Sequence, residues 1–247
     1  MTKRINLISG PRNISTALMY SFANREDTKV VDEPMYAYFL NLTGDDHPGR
    51  EAILESQPTT MSAVKNELIY NDIDKQIYFI KGMAKHYVDV DYSFLLELDN
   101  IFLIRDPAQL LVSYQKVIPH PEMKDIGLKR EWEIFEYLLS NGKKSIVLDA
   151  NTFLANPRDS LRSLCDTLSI PFSESMLTWK KGPIPEDGVW APYWYSSVHA
   201  STCFAKANET KPEVPDNLSI LHEESLIYYN KLRDHQSPFQ IICSPFI

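Results

Sequence analysis

Arg12, Ser15 and Thr16 stand where the apolar run Ile5-Asn6-Leu7-Ile8 enters the short turn Ser9-Gly10-Pro11-Arg12-Asn13-Ile14, and Ala17, Leu18, Phe22 and Ala23 continue at helical spacing. One cation and two hydroxyls at the start of a helix make an anion site. The first N–H groups of a helix have no intrahelical partner and point at the preceding loop. The loop departs from the nucleoside triphosphate type, which needs Gly, four residues, then Gly-Lys-Ser/Thr. Counted from Gly10, those three places hold Ser15, Thr16 and Ala17. The lysine for the outer phosphates and the hydroxyl for Mg²⁺ are both missing, so the pattern suits an anion handled without a metal.

A second segment points to the same chemistry. Ile101-Phe102-Leu103-Ile104 is an apolar run closed by Arg105-Asp106-Pro107. Asp106 suits an N-cap and Pro107 the first helical position. Ser113 follows Asp106 by two helical turns and so shares the face of the cap. Arg105 and Ser113 can therefore reach one anion together; the alternative for Arg105 is an ordinary salt bridge. Asp32 and Glu33 end a third apolar run, Val30-Val31, and Lys81 ends a fourth, Ile77 to Ile80.

Five apolar strands are needed to position these residues: Ile5–Ser9, Val30–Asp32, Ile77–Lys81, Ile101–Arg105 and Ser145–Asp149. Runs apolar on both faces and separated by helices imply a parallel sheet covered on both sides, a three-layer α/β/α arrangement of the P-loop-like kind. Ligands of such sheets bind at the carboxyl ends of strands. Arg12, Asp32, Glu33, Lys81, Arg105 and Asp149 all fall at or just past such ends, which predicts one active site. The chain reads as a single domain, 1–247, whose residues 182–247 are irregular and then helical over Leu218–Leu232. The 41–58 segment begins as a loop, Thr43 to Gly49, and fits part of a lid.

Together these segments resemble the sulfotransferases that use 3′-phosphoadenosine 5′-phosphosulfate, in the bacterial manner. Pro11-Arg12-Asn13-Ile14-Ser15-Thr16 is similar to the family's 5′-phosphosulfate loop, roughly Pro-Lys-Ser-Gly-Thr-Thr, with Arg12 for Lys and Ile14 for Gly. Arg105 and Ser113 have the spacing of the family's 3′-phosphate element. Lys180-Lys181-Gly182, then Gly188 and Trp190, resemble its Arg-Lys-Gly-x-x-Gly-x-Trp loop with a longer spacer. The run Ser145–Leu154, with Asn156-Pro157 and Leu161 to Ile170, is similar to its last core strand and the following helix. The likeness covers residues 5 to about 190.

The resemblance implies an enzyme that moves a sulfuryl group from that donor to a hydroxyl or amine of a small molecule. It assigns Pro11, Arg12, Asn13, Ile14, Ser15, Thr16, Arg105, Ser113, Lys180, Lys181 and Gly182 to the donor, with no metal. Arg12 then also meets the charge that grows on the leaving phosphate. Lys81 keeps the lysine of the family's Lys-x-His, but Met83 stands in the histidine's place. A base must come from elsewhere, and some bacterial members carry a Glu where this chain has Glu33. Glu33 is the expected base, against the alternatives that it caps the helix after Pro34 or pairs with Arg12. His86 is the second candidate, against the reading of a solvated histidine. His199 lies in an aromatic run, Trp190 to Tyr195 and beyond, that fits an acceptor-pocket wall, core, or a dimer contact. Competing functions are a P-loop small-molecule kinase and a catalytically silent nucleotide-binding module.

Composition fits a globular enzyme: 247 residues, 44% hydrophobic and 23% charged, with a net charge of −8. That balance disfavours nucleic acid or an anionic membrane as a bulk electrostatic partner. The start Met-Thr-Lys-Arg lacks a long apolar stretch, no run approaches the length of a spanning helix, and a cytoplasmic location is expected. Cys165, Cys203 and Cys243 are far apart and read as packing residues in a reducing compartment. A homodimer is among the expectations.

Overall fold

The sheet is built from five parallel strands, β1 (Lys3–Ser9), β2 (Thr28–Asp32), β3 (Ile77–Met83), β4 (Asp99–Ile104) and β5 (Ile146–Asp149). Their order is β2-β3-β1-β4-β5. The computed structural model describes residues 2–206 and 212–236; Cys243 lies outside them. All five expected strands form, and each boundary shifts by at most two residues. The central position of β1 is explicit in its register, where Leu7 lies between Lys81 of β3 and Ile101 of β4.

Alternation along each strand sends side chains to two separate cores. Ile5, Leu7, Phe79, Ile101 and Leu103 face one layer of helices: α1 (Ser15–Ala23), α2 (Tyr36–Thr43), α3 (Arg50–Ser56), and, farther along the chain, Ala150–Ala155 and Pro157–Thr167. Ile8, Tyr78, Ile80, Phe102 and Ile104 face the other layer, formed by the helices Leu128–Ser140 and Ser219–Arg233. Phe22 of α1 stacks on Phe79 with ring centroids 4.1 Å apart. Each such buried side chain contributes roughly 1.5–3 kcal/mol relative to exposure.

The helix starts follow their chemistry. The Asp106 carboxylate accepts from the Ala108 amide at 2.9 Å, and Pro107 opens the helix Pro107–Tyr114. Asp149 accepts from the Asn151 and Thr152 amides. The chain passes from β3 over β1 to β4, so the connections diverge at β1. That opens a crevice at its carboxyl end.

Residues 182–206 are more ordered than their proline content suggests. Two short helices, Ala191–Trp194 and Ser196–His199, form there. Trp190, Tyr195, Val198 and Phe204 join the core, because large aromatic surface is most stable out of water. Among the described residues no helix is long and apolar enough to cross a membrane.

Gly10, the first residue of the loop after β1, packs against the start of the helix Leu128–Ser140. A Cβ at Gly10 would stand 2.3 Å from the Ile126 carbonyl oxygen and 3.5 Å from Glu131 Oε1, so any side chain here would force the loop outward. Glu131 is fully buried and its carboxyl faces Gly10. Burial raises its pKa well above the ordinary value of 4.5, opposed by the Gly10 amide. The fold therefore holds a proton here that the unfolded chain releases. That contribution to stability is complete below the ordinary carboxyl range and is lost as pH rises from there through the raised pKa. Glu131→Gln should flatten the fall of Tm with rising pH above the ordinary carboxyl range, relative to the native chain. Parallel curves for the two proteins would show that Glu131 ionises normally in the fold.

Candidate active site

The loop between β1 and α1 is shaped by backbone as much as by side chains. Arg12 adopts φ +58°, a left-handed conformation that non-glycine residues rarely hold and that clusters at functional sites. The Asn13 amide donates to the Leu103 carbonyl at 2.6 Å and ties the loop to β4. Ile14 occupies the N-cap of α1 and its side chain makes no capping bond. The first amides of α1 are thus not claimed by a cap. They face the crevice together with Ser15 and Thr16.

The two anion segments meet. Arg12 Nε donates to Ser113 Oγ at 3.0 Å, and an Arg105 guanidinium nitrogen donates to the Arg12 carbonyl at 2.8 Å. Burial lowers the Arg105 pKa, and the Arg12 charge adds to that shift. Two guanidiniums held this close mark a site of concentrated positive charge.

Across β1, a buried polar cluster joins β3 and β2. Lys81 is 1% exposed and pairs with Glu33, with Asp32 at 3.2 Å. Its ammonium also donates to the Tyr195 hydroxyl at 2.8 Å. That hydroxyl donates to Asp32 at 2.7 Å and accepts from the Trp190 indole at 3.1 Å. The Gly188 amide reaches Asp32 at 3.2 Å. Burial raises the Asp32 carboxyl to about 6, with Glu33 adding to the shift and Lys81 opposing it. For Lys81 burial pulls the pKa down, and Asp32 and Glu33 together more than reverse it. Glu33 also adopts a positive φ, +39°, and the Gln57 amide holds its carbonyl at 3.2 Å.

One cavity is lined by both groups: Pro11, Arg12, Asn13, Ile14, Ser15 and Thr16 from the loop, and Glu33 and Lys81 from the cluster. Tyr36, Met83, Lys85, Tyr114, Trp194, Tyr195, Val198 and Phe204 are among its other walls. His86 does not line it. Instead of being solvated it is 1% exposed, stacked between Tyr36 and Phe39 with ring centroids 4.5 and 4.9 Å away. Its Nδ1 is 3.8 Å from Glu33, and burial drives its pKa well below 6.5. Lys180 and Lys181 are exposed, and neither they nor Gly182 line the cavity. Of that expected loop only Gly188 and Trp190 reach the site. His199 pairs with Asp187 at 2.9 Å, which also accepts from the Tyr20 hydroxyl at 2.6 Å. Tyr195, Tyr36 and Lys85 escaped sequence reasoning as individual site residues. The aromatic run signalled a wall but not which ring carries the hydroxyl that bonds Lys81. No group of three or more metal-ligating side chains occurs among the described residues.

A family model described as a sulfotransferase domain matches residues 3–235. Two Arabidopsis thaliana proteins, branched-chain-amino-acid aminotransferase-like protein 1 and protein 2, are 44% identical over 228 residues and 39% identical over 232. Those matches cover 92% and 94% of this chain, which spans only 41% of the length of each relative. The crystal structure of a sulfotransferase from Alicyclobacillus acidocaldarius aligns over 96% of this chain and 98% of its own, with a TM-score of 0.52 at 13% identity, and so shares the fold.

The buried cluster has a measurable weight. Lys81→Met leaves two carboxyls buried side by side without their cation. It should destabilise the chain by about 3–5 kcal/mol in denaturant unfolding, and adding Asp32→Asn should recover part of the loss. A loss below about 1 kcal/mol would place the interaction with weak surface pairs instead.

Proposed function

This chain belongs to the sulfotransferase domain family, and we propose that it transfers a sulfuryl group from 3′-phosphoadenosine 5′-phosphosulfate to a hydroxyl or amine of a small molecule, without a metal. The observation that carries the reading is one cavity lined both by the Arg12 loop with the free end of α1 and by Glu33 on its Lys81 support.

In this reading the 5′-phosphosulfate lies on the loop, where Ser15, Thr16 and the amides of α1 receive it. Arg105 and Ser113, linked through Arg12, hold the 3′-phosphate. Glu33 takes the proton of the acceptor as its oxygen or nitrogen forms a bond to sulfur. The bond between sulfur and the bridging phosphate oxygen breaks in line, and its electron pair leaves with the phosphate. Arg12 meets the charge that grows there. Lys81 is a positioning residue, because its ammonium pairs with Glu33 and fixes its direction. His86 packs behind Glu33 and, being buried, has no route to an acceptor. Lys180, Lys181 and Gly182 are given no part in this reading: like Arg105 and Ser113 they do not line the cavity, but no hydrogen bond among the described residues ties them to the Arg12 loop.

A thermal-shift series tests the donor. Adenosine 3′,5′-bisphosphate should stabilise the chain without Mg²⁺; stabilisation only by ATP with Mg²⁺ would favour the kinase alternative. Arg105→Ala and Ser113→Ala should weaken bisphosphate binding by the equivalent of about 1.5–3 kcal/mol while 5′-AMP binding changes little. Equal losses for both ligands would make the pair structural. Glu33→Gln should lower turnover by on the order of 10²–10⁴ with bisphosphate affinity nearly intact. Normal turnover in that variant would remove Glu33 from the chemistry.

A further inference from the structure

The residues in and around the cavity divide along the order of the strands; Arg105 and Ser113 do not line it and are joined to it only through Arg12. Arg12 follows β1, while Arg105 and the helix bearing Ser113 follow β4. Glu33 follows β2, and Lys81 and Lys85 belong to β3 and the turn after it, on the other side of β1. The proposed donor engages the first set at its 5′ and 3′ ends. Lys81 is engaged by Asp32 and Glu33. Lys85 is left on the acceptor side, lining the cavity with no carboxylate in ion-pair reach among the described residues.

Its surroundings make that cation unusual. The Lys85 ammonium lies over the Phe39 ring, 5.6 Å from its centroid. Glu33, Asp45 and Asp125 act on it only at longer range, and burial is the largest influence on its pKa, a lowering one. His47, beside it, is held neutral near pH 7, because burial pushes its pKa to about 4 and its Nδ1 bonds the Tyr36 hydroxyl at 2.7 Å. A largely desolvated ammonium is costly unless an anion meets it. The protein supplies an aromatic face on one side and open cavity on the other. Outside the Arg12 loop, Glu33, Lys81 and Lys85 itself, the rest of the lining is uncharged and mostly apolar or aromatic, Tyr36, Met83, Trp194 and Val198 among it, with the hydroxyls of Ser197 and Ser201.

Resting on the sulfuryl-transfer reading, we propose that the acceptor is a carboxylic acid: a small apolar or aromatic body that presents its hydroxyl or amine to Glu33 and its carboxylate to Lys85. The carboxylate is not consumed; it anchors the acceptor while the other end reacts. An acceptor held at both ends lies across the cavity, with its nucleophile facing the donor loop.

A matched panel tests this. Hydroxyaryl and hydroxyalkyl carboxylates of graded length, each beside its methyl ester, are assayed with 3′-phosphoadenosine 5′-phosphosulfate, and binding of adenosine 3′,5′-bisphosphate is measured separately by calorimetry. The acids should exceed their esters in kcat/KM by about 10- to 100-fold, chiefly through KM. Lys85→Met should bring the acid-to-ester ratio to about one, Lys85→Arg should restore it, and bisphosphate binding by each variant reports that it folds. Esters used as well as acids, or a preference that survives Lys85→Met, would overturn the proposal. Binding of the bisphosphate with no member of either series sulfated would overturn it too. Absence of bisphosphate binding would instead overturn the sulfuryl-transfer reading on which it rests.

Discussion

Burying the Lys81 ammonium is the constraint around which the site is arranged. A charge almost fully removed from water is tolerable only when opposite charge and hydrogen bonds surround it. Here β2 supplies Asp32 and Glu33 at its end, and the segment after Gly188 supplies Tyr195, itself held by Trp190. Three stretches distant in sequence are thereby fixed to one point at the carboxyl edge of the sheet. The register of β2 on β3 places Asp32 opposite Lys81, so the pairing of the strands and the pairing of the charges are one event. Two acids against one ammonium leave an excess of negative charge, which the Tyr195 hydroxyl and the Gly188 amide ease by donating to Asp32.

Backbone strain is placed with the chemistry. Arg12 and Glu33, the two residues given the most direct roles, both hold positive φ without being glycine. Each is over-determined by its neighbours: the Arg12 carbonyl by Arg105, the Glu33 amide by the Lys81 carbonyl at 2.7 Å. Strain of roughly 1–3 kcal/mol per residue persists only when surrounding contacts enforce it. Both contacts come from the carboxyl edge of the sheet, Arg105 just past β4 and Lys81 near the end of β3. Arg12 and Glu33 are therefore aimed into the cavity by contacts with the sheet and its edge.

Much of this was legible in the residues, for definite reasons. Strands apolar on both faces have few alternatives to a covered parallel sheet, so all five were readable, and Asp106-Pro107 announced its helix through cap chemistry alone. The Arg12 loop was readable because its departures from the triphosphate pattern are as informative as its matches. What escaped was long-range and aromatic. Nothing in a local pattern tells that Tyr195 crosses the sheet edge to Lys81, or that His86 slides between Tyr36 and Phe39 instead of facing water. Lys180 and Lys181 show the opposite case: a local likeness assigns them to the donor, while in the fold both are exposed and it is Gly188 and Trp190 that meet the Asp32 and Tyr195 cluster. The free charge of Lys85 depends on what is missing around it, which a sequence does not display.

The site is completed late along the chain. The strands end at Asp149, whereas Trp190 and Tyr195, which close the cluster around Lys81, lie some forty residues farther on. During synthesis, where amino-terminal parts emerge first, all five strands leave the ribosome before the residues that neutralise the buried charges are available. A nascent chain halted in between has a sheet whose edge carries Asp32, Glu33 and Lys81 still open to water. Arrival of the aromatic segment then converts a solvated ion cluster into a dry one, so the candidate site is closed only after every strand of the sheet has been made.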